Sequence, residues 1–202
     1  MAIFRPVQRE RRLVLQGLAT GLAGLAGLIP LAGDPAAAQT ALQPTPACDD
    51  DDEPTPAQTE GPFFTRNSPE RSALRESGMR GGPIALTGLV LSRSCRPVGG
   101  ALVELWHADD AGEYDNDGFR LRGHQFTGPD GSYRFDTIRP GLYPGRTRHF
   151  HIKYQARNEP VLTTQLYFPG EPENRRDRIF RPELVMDIAG EVARFDAVLD
   201  IA

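Results

Sequence analysis

Short runs rich in leucine, β-branched and aromatic residues recur along the chain from Pro83 onward, and several alternate between apolar and polar positions. This period of two is typical of β-strands that bury one face. Turn signals such as RPVGG, GPDG and RPGLYPG separate the runs. The pattern predicts an all-β fold, a two-sheet β-sandwich with long loops and little helix. The predicted strands are IALTGLVLS, ALVELWHA, SYRFDTI, RHFHIKYQA, VLTTQLYF and VARFDAVLD.

Helical signals are confined to two short segments. SPERSALRES, residues 68–77, predicts a helix because Ser68 is a favourable N-cap and Glu70 falls in the first turn. Residues 173–178 predict one further turn. Neither an internal repeat nor a second domain is visible, so residues 61–202 are predicted to form a single sandwich domain.

Residues 1–38 have the organisation of an export signal. Arg11-Arg12 precede a Gly/Ala/Leu stretch, and the small residues 36–38 follow it as a cleavage site. Paired arginines before an apolar run are typical of twin-arginine signals, so the predicted partner is the twin-arginine export machinery and the predicted location is periplasmic or extracellular. An uncleaved membrane anchor is the alternative, because residues 13–32 are long enough to span a bilayer.

The segment after the signal, residues 39–60, is rich in Pro, Thr and Ala and carries an acidic run, so it predicts a flexible leader.

The formal net charge of -4 and the lack of a basic face argue against a nucleic-acid partner. Cys48 and Cys95 both follow the signal, and an oxidising compartment would favour a disulfide between them. Two unpaired thiols are the alternative.

The segment YPGRTRHFHIKY is the first candidate for chemistry. Alternation places His149 and His151 on one face of a strand, but an H-x-H pair alone is a weak metal signal. No carboxylate lies at ligand spacing, whereas Tyr114 and Tyr143 are flanked by turn residues rather than by apolar alternation. Two phenolates and two neutral imidazoles form a donor set suited to a hard trivalent ion, Fe(III).

Four stretches of the chain resemble the intradiol ring-cleavage dioxygenases, in particular their small exported members. They are TEGPFF, LVELWHADDAGEY, DGSYRFDTIRPGLYPGRTRHFHIKY and LTTQLYFPGEP. The resemblance implies a prealbumin- or immunoglobulin-like sandwich that holds non-haem Fe(III). It also implies that O2 cleaves a catechol-type aromatic ortho-diol between its two hydroxyl-bearing carbons, giving a muconate-type dicarboxylate.

The resemblance also assigns roles to individual positions. Tyr143 would be the ligand that the substrate displaces, and Arg146 and Gln165 would stabilise negative charge on the ring. Arg148 is the other arginine of this segment, but in a regular strand it points away from the metal. Gly61 and Pro62 match a loop that lines the substrate. The implied metal ligands are Tyr114, Tyr143, His149 and His151.

The chain departs from the family pattern in two respects, and two other functions are also compatible with the sequence. The chain shows no match to the helical dimerisation region of catechol-cleaving members, and the segment from Tyr143 to His149 is shorter than in protocatechuate-cleaving members. A non-enzymatic transthyretin-like or adhesin-like binding module is one alternative, and an H-x-H copper or zinc protein is the other. His107 is expected either behind the site or at the surface, and RRDR, residues 175–178, is expected to be a solvated loop.

Overall fold

Nine β-strands and two short 3-10 helices form the regular structure of residues 53–202, the part of the chain that the computed structural model describes. The 3-10 helices are Pro172–Arg175 and Pro182–Leu184. The strands are β1 Pro83–Leu91, β2 Leu102–Trp106, β3 Arg122–Phe126, β4 Ser132–Ile138, β5 His149–Gln155, β6 Leu162–Tyr167, β7 Asp187–Ala189, β8 Val192–Arg194 and β9 Ala197–Val198.

Several features predicted near the N-terminus lie outside the described residues. These are the export signal, Cys48 and most of the acidic run. Cys95 is disulfide-bonded, and Cys48 is the chain's other cysteine. Within residues 53–202, no helix is long and apolar enough to cross a membrane.

The strands form two sheets, as the alternation predicts. One sheet has the order β3-β2-β5-β6, and the other has the order β4-β1-β8-β7, with β9 also paired to β1. Phe150, Ile152 and Tyr154 of β5 are fully buried between the sheets. The hydroxyl of Tyr154 lies 3.0 Å from that of Tyr133 on β4, so this pair joins the sheets through a hydrogen bond in the core.

All six predicted runs contain strands, but two strands were not predicted. β3 lacks apolar alternation because its sequence is RGHQF, and it becomes a strand by pairing with β2, which satisfies its backbone groups. β7 is only three residues long and pairs with β8. VARFDAVLD is divided into β8 and β9 at Asp196, whose carboxylate accepts a hydrogen bond from the backbone N–H of Leu89 at 2.9 Å.

The helix predicted for residues 68–77 is wrong. The segment is not helical and forms isolated parallel bridges, Glu70 to His124 and Ala73 to Asp136. Ser68 does not cap a helix, because its hydroxyl donates to Glu104 Oε1 at 2.7 Å. Tertiary pairing with the sheet edges outweighs the local capping signal here. The second predicted turn does form, as the 3-10 helix Pro172–Arg175.

The last residues of the predicted leader are hydrogen-bonded to the sandwich. The backbone N–H of Thr55 donates to Val198 O at 2.9 Å, and that of Gln58 donates to Thr163 O at 2.8 Å. The Thr164 hydroxyl donates to Pro56 O at 2.7 Å. Residues 54–60 therefore belong to the domain rather than to a flexible segment, and they lead the chain onto the outer face of the β3-β2-β5-β6 sheet.

His107 lies between the sheets rather than at the surface, since it is 1% exposed. Its Nδ1–H donates to Ala108 O at 2.7 Å, which leaves Nε2 to accept from the hydroxyl of Thr137 on β4, also at 2.7 Å. Burial lowers the pKa of His107 to about 4, so the ring is neutral at neutral pH. His107 therefore joins the two sheets through its hydrogen bond to Thr137, and its ring packs against the ring of Phe150 in the core.

Candidate metal centre

Strand β5 carries both histidines of the predicted site on its outer face. Its register places His149 opposite Tyr167 and His151 opposite Gln165 on β6. Side chains at alternate positions share one face, so these four point away from the core, where Phe150 lies. The two histidines are nevertheless buried, with 4% and 3% of their surface exposed. Other parts of the chain must therefore cover this face.

One cover is the segment of residues 59–64. Phe64 packs on Trp106, and the Trp106 indole stacks on the His151 ring with centroids 4.9 Å apart. Gly61 has a φ of 69°, and a Cβ added there would lie 3.3 Å from His151 Cε1. Gly61 of the predicted substrate loop therefore lies directly beside His151, whereas Pro62 is exposed.

Three potential donor atoms converge at the end of β5. His149 Nε2 is 3.2 Å from His151 Nε2 and 3.4 Å from the Tyr114 hydroxyl. His149 Nδ1 is 2.6 Å from the carbonyl oxygen of Thr147, which can only accept, so Nδ1 carries the proton and Nε2 carries the lone pair. Thr147 thus fixes the tautomer in which His149 presents a lone pair to this point.

The surroundings keep these histidines neutral. Burial lowers the pKa of His149 to about 4, and the charge of Arg146 acts in the same direction. Burial also lowers the pKa of His151 well below its ordinary value. For Tyr114 burial raises the pKa, while the charges of Arg146 and Arg122 oppose that rise. Both imidazoles can therefore donate lone pairs at neutral pH, and a phenolate at Tyr114 requires a strong cation nearby.

Tyr143 is brought to the same place by a close contact between two loops. Its ring centroid is 6.0 Å from that of Tyr114, and Phe63 contacts both rings, with centroid distances of 5.3 Å to Tyr143 and 4.5 Å to Tyr114. A Cβ at Gly112 would lie 2.2 Å from Leu142 O, so only glycine allows the loop carrying Tyr114 to approach the turn carrying Tyr143. All four predicted ligands therefore lie together.

The two arginines of the turn have different surroundings. Arg146 Nη2 donates to Gln165 Oε1 at 2.5 Å, and its charge acts on Tyr114 and His149. Arg148 donates instead to Glu171 Oε1 at 2.8 Å and stands over the Phe168 ring in the core. Arg146 and Gln165 thus lie beside the candidate centre, and Arg148 points away from it.

Arg122 was not recognised from the sequence. It is 2% exposed, and its guanidinium donates to Phe63 O at 2.6 Å and to Asp115 O at 2.7 Å. These carbonyls belong to the covering segment and to the loop of Tyr114, so Arg122 fastens one to the other. An arginine in the short run RGHQF gives no signal that distinguishes such a role from a solvated strand residue.

Asp177 was also missed, because the run RRDR predicts a solvated loop. The aspartate is instead buried, and its Oδ2 lies 2.8 Å from Arg146 Nε. Burial of this residue follows from how residues 172–184 fold back on the turn before β5. A run of charged residues carries no periodic signal for that.

The donor atoms suit a hard metal ion. Within the part of the chain that the structure describes, no group of three or more His, Cys, Asp or Glu side chains is placed to hold a metal. A metal held at the end of β5 would therefore need tyrosine oxygens beside the two imidazoles. Neutral imidazoles with phenolates at Tyr114 and Tyr143 fit a trivalent ion such as Fe(III) better than a soft ion, which prefers thiolates.

The sequence matches a family model described as "Dioxygenase" over residues 59–197. Among similar curated proteins, hydroxyquinol 1,2-dioxygenase of Nocardioides simplex is 32% identical over 150 residues, which are 62% of this chain and 51% of that protein. The protocatechuate 3,4-dioxygenase beta chain of Burkholderia cepacia is 34% identical over 137 residues, 58% of each chain. The chain thus spans about half the length of the curated relatives it matches.

The chain also matches solved structures. The dioxygenase domain of a dioxygenase–carbohydrate-binding protein fusion from Streptomyces sp. SirexAA-E is 54% identical with a TM-score of 0.72, covering 74% of this chain and 100% of that one. Catechol 1,2-dioxygenase from Acinetobacter sp. ADP1 is 26% identical with a TM-score of 0.66, covering 73% of this chain and 63% of that one.

Proposed function

Because this chain belongs to the intradiol ring-cleavage dioxygenase family, we propose that it is a non-haem Fe(III) enzyme that cleaves a catechol-type ortho-diol with O2. The cleaved bond is the one between the two hydroxyl-bearing carbons. One observation carries the proposal: His149 Nε2 lies within 3.2 Å of His151 Nε2 and within 3.4 Å of the Tyr114 hydroxyl, in a buried place beside Arg146.

The four ligands have unequal freedom to move. His149 and His151 are fixed by the backbone pairing of β5, and Phe63 stacks on the ring of Tyr114. Tyr143 lies in a turn whose next residues, Pro144 and Gly145, are exposed. A substrate oxygen can therefore replace Tyr143 without disturbing the sheet, which supports its role as the displaced ligand.

Ferric iron held by Tyr114, Tyr143, His149 and His151 would supply Lewis-acid chemistry that lowers the pKa of the diol hydroxyls and makes the ring reactive toward O2. The chain's own residues then have separate tasks. The released phenolate of Tyr143 accepts a proton from a diol hydroxyl as a general base. Arg146 carries the positive charge that stabilises negative charge on the ring, and Gln165 holds the Arg146 guanidinium from the β6 side.

The proposed substrates follow from the chemistry of the site and from the names of the relatives. Relatives are named for hydroxyquinol, catechol and protocatechuate, which share an aromatic ortho-diol. Phe63 is only partly buried and stacks on Tyr114, so apolar ring surface lies next to the donor atoms, which suits a flat aromatic molecule. We therefore propose the ortho-diol as the recognised group.

We further propose that the enzyme acts after export from the cytoplasm. The paired arginines at residues 11 and 12 and the small residues 36–38 support this location. The disulfide at Cys95 is also consistent with an oxidising compartment. Export of a folded protein would allow iron to be taken up beforehand in the cytoplasm.

Metal content and colour test the proposed centre. Purified protein is reconstituted in separate samples with Fe(III), Cu(II) and Zn(II). The iron sample is expected to retain about one iron per protein chain. The iron sample is expected to show a strong visible tyrosinate-to-iron absorption that shifts in Tyr143→Phe. Addition of catechol under nitrogen is expected to shift the band too, because the substrate displaces Tyr143. Retention of copper or zinc with a colourless iron sample would favour the H-x-H alternative, and retention of no metal would favour a binding module.

A further inference from the structure

Asp177 lies in the loop between the 3-10 helices Pro172–Arg175 and Pro182–Leu184, and its side chain points into the domain. That side chain is only 2% exposed. A buried carboxylate is costly unless it is paired and hydrogen-bonded, so its partners indicate why it is there.

Both carboxylate oxygens of Asp177 have donors. Oδ2 accepts from Arg146 Nε at 2.8 Å and from the backbone N–H of Thr147 at 3.0 Å, and Oδ1 accepts from the backbone N–H of Ile179 at 3.1 Å. Burial alone raises the pKa of Asp177, but these backbone hydrogen bonds and the Arg146 charge hold it below its ordinary value. The group is therefore a carboxylate at neutral pH, and it faces the turn that precedes β5.

The Arg146 guanidinium is held from a second side. Its Nη2 donates to Gln165 Oε1 at 2.5 Å, and Gln165 Nε2 donates to Thr59 O at 2.9 Å. A planar guanidinium that is held at two of its nitrogens has a fixed orientation. Asp177 and Gln165 therefore form a two-point support for Arg146, and this support also reaches the segment that covers His151.

We propose that Asp177 is a positioning residue for ring cleavage, because it holds the Arg146 guanidinium where its charge faces Tyr114 and His149. The proposal rests on the proposed function. Asp177 acts through Arg146 and touches none of the four candidate ligands. Displacement of a charged group by about 1 Å is enough to lower a rate by about 100-fold, so the support matters for turnover as well as for stability.

The neighbouring ion pair offers a matched control. Arg148 Nε lies 2.8 Å from Glu171 Oε1, the same distance as in the Arg146–Asp177 pair, and the two arginines flank Thr147. The Arg148 pair stands over Phe168, away from the donor atoms. A second control is Asn174 of the 3-10 helix Pro172–Arg175, whose Oδ1 accepts from the Thr147 hydroxyl at 2.6 Å, so it holds the neighbouring helix to the same turn without touching Arg146.

Asp177→Asn is expected to lower kcat of the iron-loaded protein by about 10- to 100-fold, with KM changed by less than about threefold. Iron content and the visible band should match those of the wild type, since no ligand is altered. Glu171→Gln and Asn174→Ala are expected to keep kcat within about twofold. If Asn174→Ala lowered kcat as much as Asp177→Asn does, the effect would come only from the packing of residues 172–184 on the turn before β5. The proposal would then be overturned.

A double-variant cycle separates action through Arg146 from any other effect. In an Arg146→Gln background, Asp177→Asn is expected to change kcat by less than about twofold, since the group it positions is gone. If the loss of kcat in the double variant equalled the product of the two single losses, the two residues would act independently and the proposal would be contradicted. The double variant also removes both charges together, so it leaves no unpaired ion if Arg146→Gln alone folds poorly.

A measurement without turnover keeps the two proposals distinguishable. In 15N-labelled full chain with no metal added, the Arg146 Nε–H signal, assigned by its loss in Arg146→Gln, is expected to be slow to exchange in the wild type. It should exchange fast in Asp177→Asn and slowly in Glu171→Gln. Slow exchange in Asp177→Asn would overturn the positioning role. A wild type that holds this signal but cleaves no diol would instead overturn the proposed function.

Discussion

His149→Ala is expected to abolish stable iron binding, and with it all ring cleavage. The ring of His149 lies at the middle of the candidate centre, because its Nε2 is 3.2 Å from His151 Nε2 and 3.4 Å from the Tyr114 hydroxyl. Loss of a residue that only orients a ligand lowers metal affinity by about 10- to 100-fold, so loss of a ligand should lower it by more than about 100-fold. The checks are iron per chain after dialysis and the intensity of the visible band.

His124→Ala is the matched control for this prediction. His124 lies on β3 of the same sheet, and its Nδ1 is 3.2 Å from the Ser68 hydroxyl rather than near the donor atoms. This variant should retain about one iron per protein chain. If His149→Ala kept its iron and its colour, the metal would be bound elsewhere and the site at the end of β5 would be wrong.

Arg146→Ala is expected to lower kcat by about 100-fold or more while iron stays bound. Arg146 supplies positive charge next to the donor atoms, and removal of one such contact to a charged transition state typically costs about 3 to 4 kcal/mol. Its loss also leaves the buried Asp177 without its guanidinium, so the free energy of unfolding should fall as well. Kinetics should therefore be measured well below the unfolding midpoint, with iron content determined on the same sample.

Arg148→Ala provides the comparison for that experiment. Arg148 is two residues from Arg146 but pairs with Glu171 and stands over Phe168. Its removal should leave kcat within about twofold. Equal losses of kcat in the two variants would show that net positive charge near β5 matters, rather than a guanidinium at one place.

The sandwich was predictable because its strands carry their own signals. β5 alternates Phe150, Ile152 and Tyr154 toward the core with His149 and His151 on the other face, and the structure shows that division. β3 was not predictable from alternation, because the run RGHQF has no apolar face and owes its strand geometry to pairing with β2. The helix predicted over residues 68–77 was wrong for a related reason, since bridges to two sheet edges replace the helical hydrogen bonds.

The residues of the candidate site likewise fall into those with a local sequence signal and those without one. The two histidines are two positions apart, and alternation alone places them on one face, whereas Tyr114 lies 35 residues from His149 in the chain and stood out only through its turn-rich flanks and the family resemblance. Arg122 and Asp177 had no signal at all. Their importance arises from tertiary contacts with backbone carbonyls and with Arg146, which no local pattern encodes.

Identification of the product tests the central claim most directly. Iron-loaded protein would be given catechol, hydroxyquinol and protocatechuate in separate reactions under 18O2, with oxygen uptake followed and the products analysed by mass spectrometry. For at least one diol we expect a muconate-type dicarboxylate, formed by cleavage between the hydroxyl-bearing carbons and carrying both labelled oxygen atoms. A product opened beside the diol, or no oxygen uptake by the iron-loaded protein with any of these diols, would contradict the proposed ferric intradiol site.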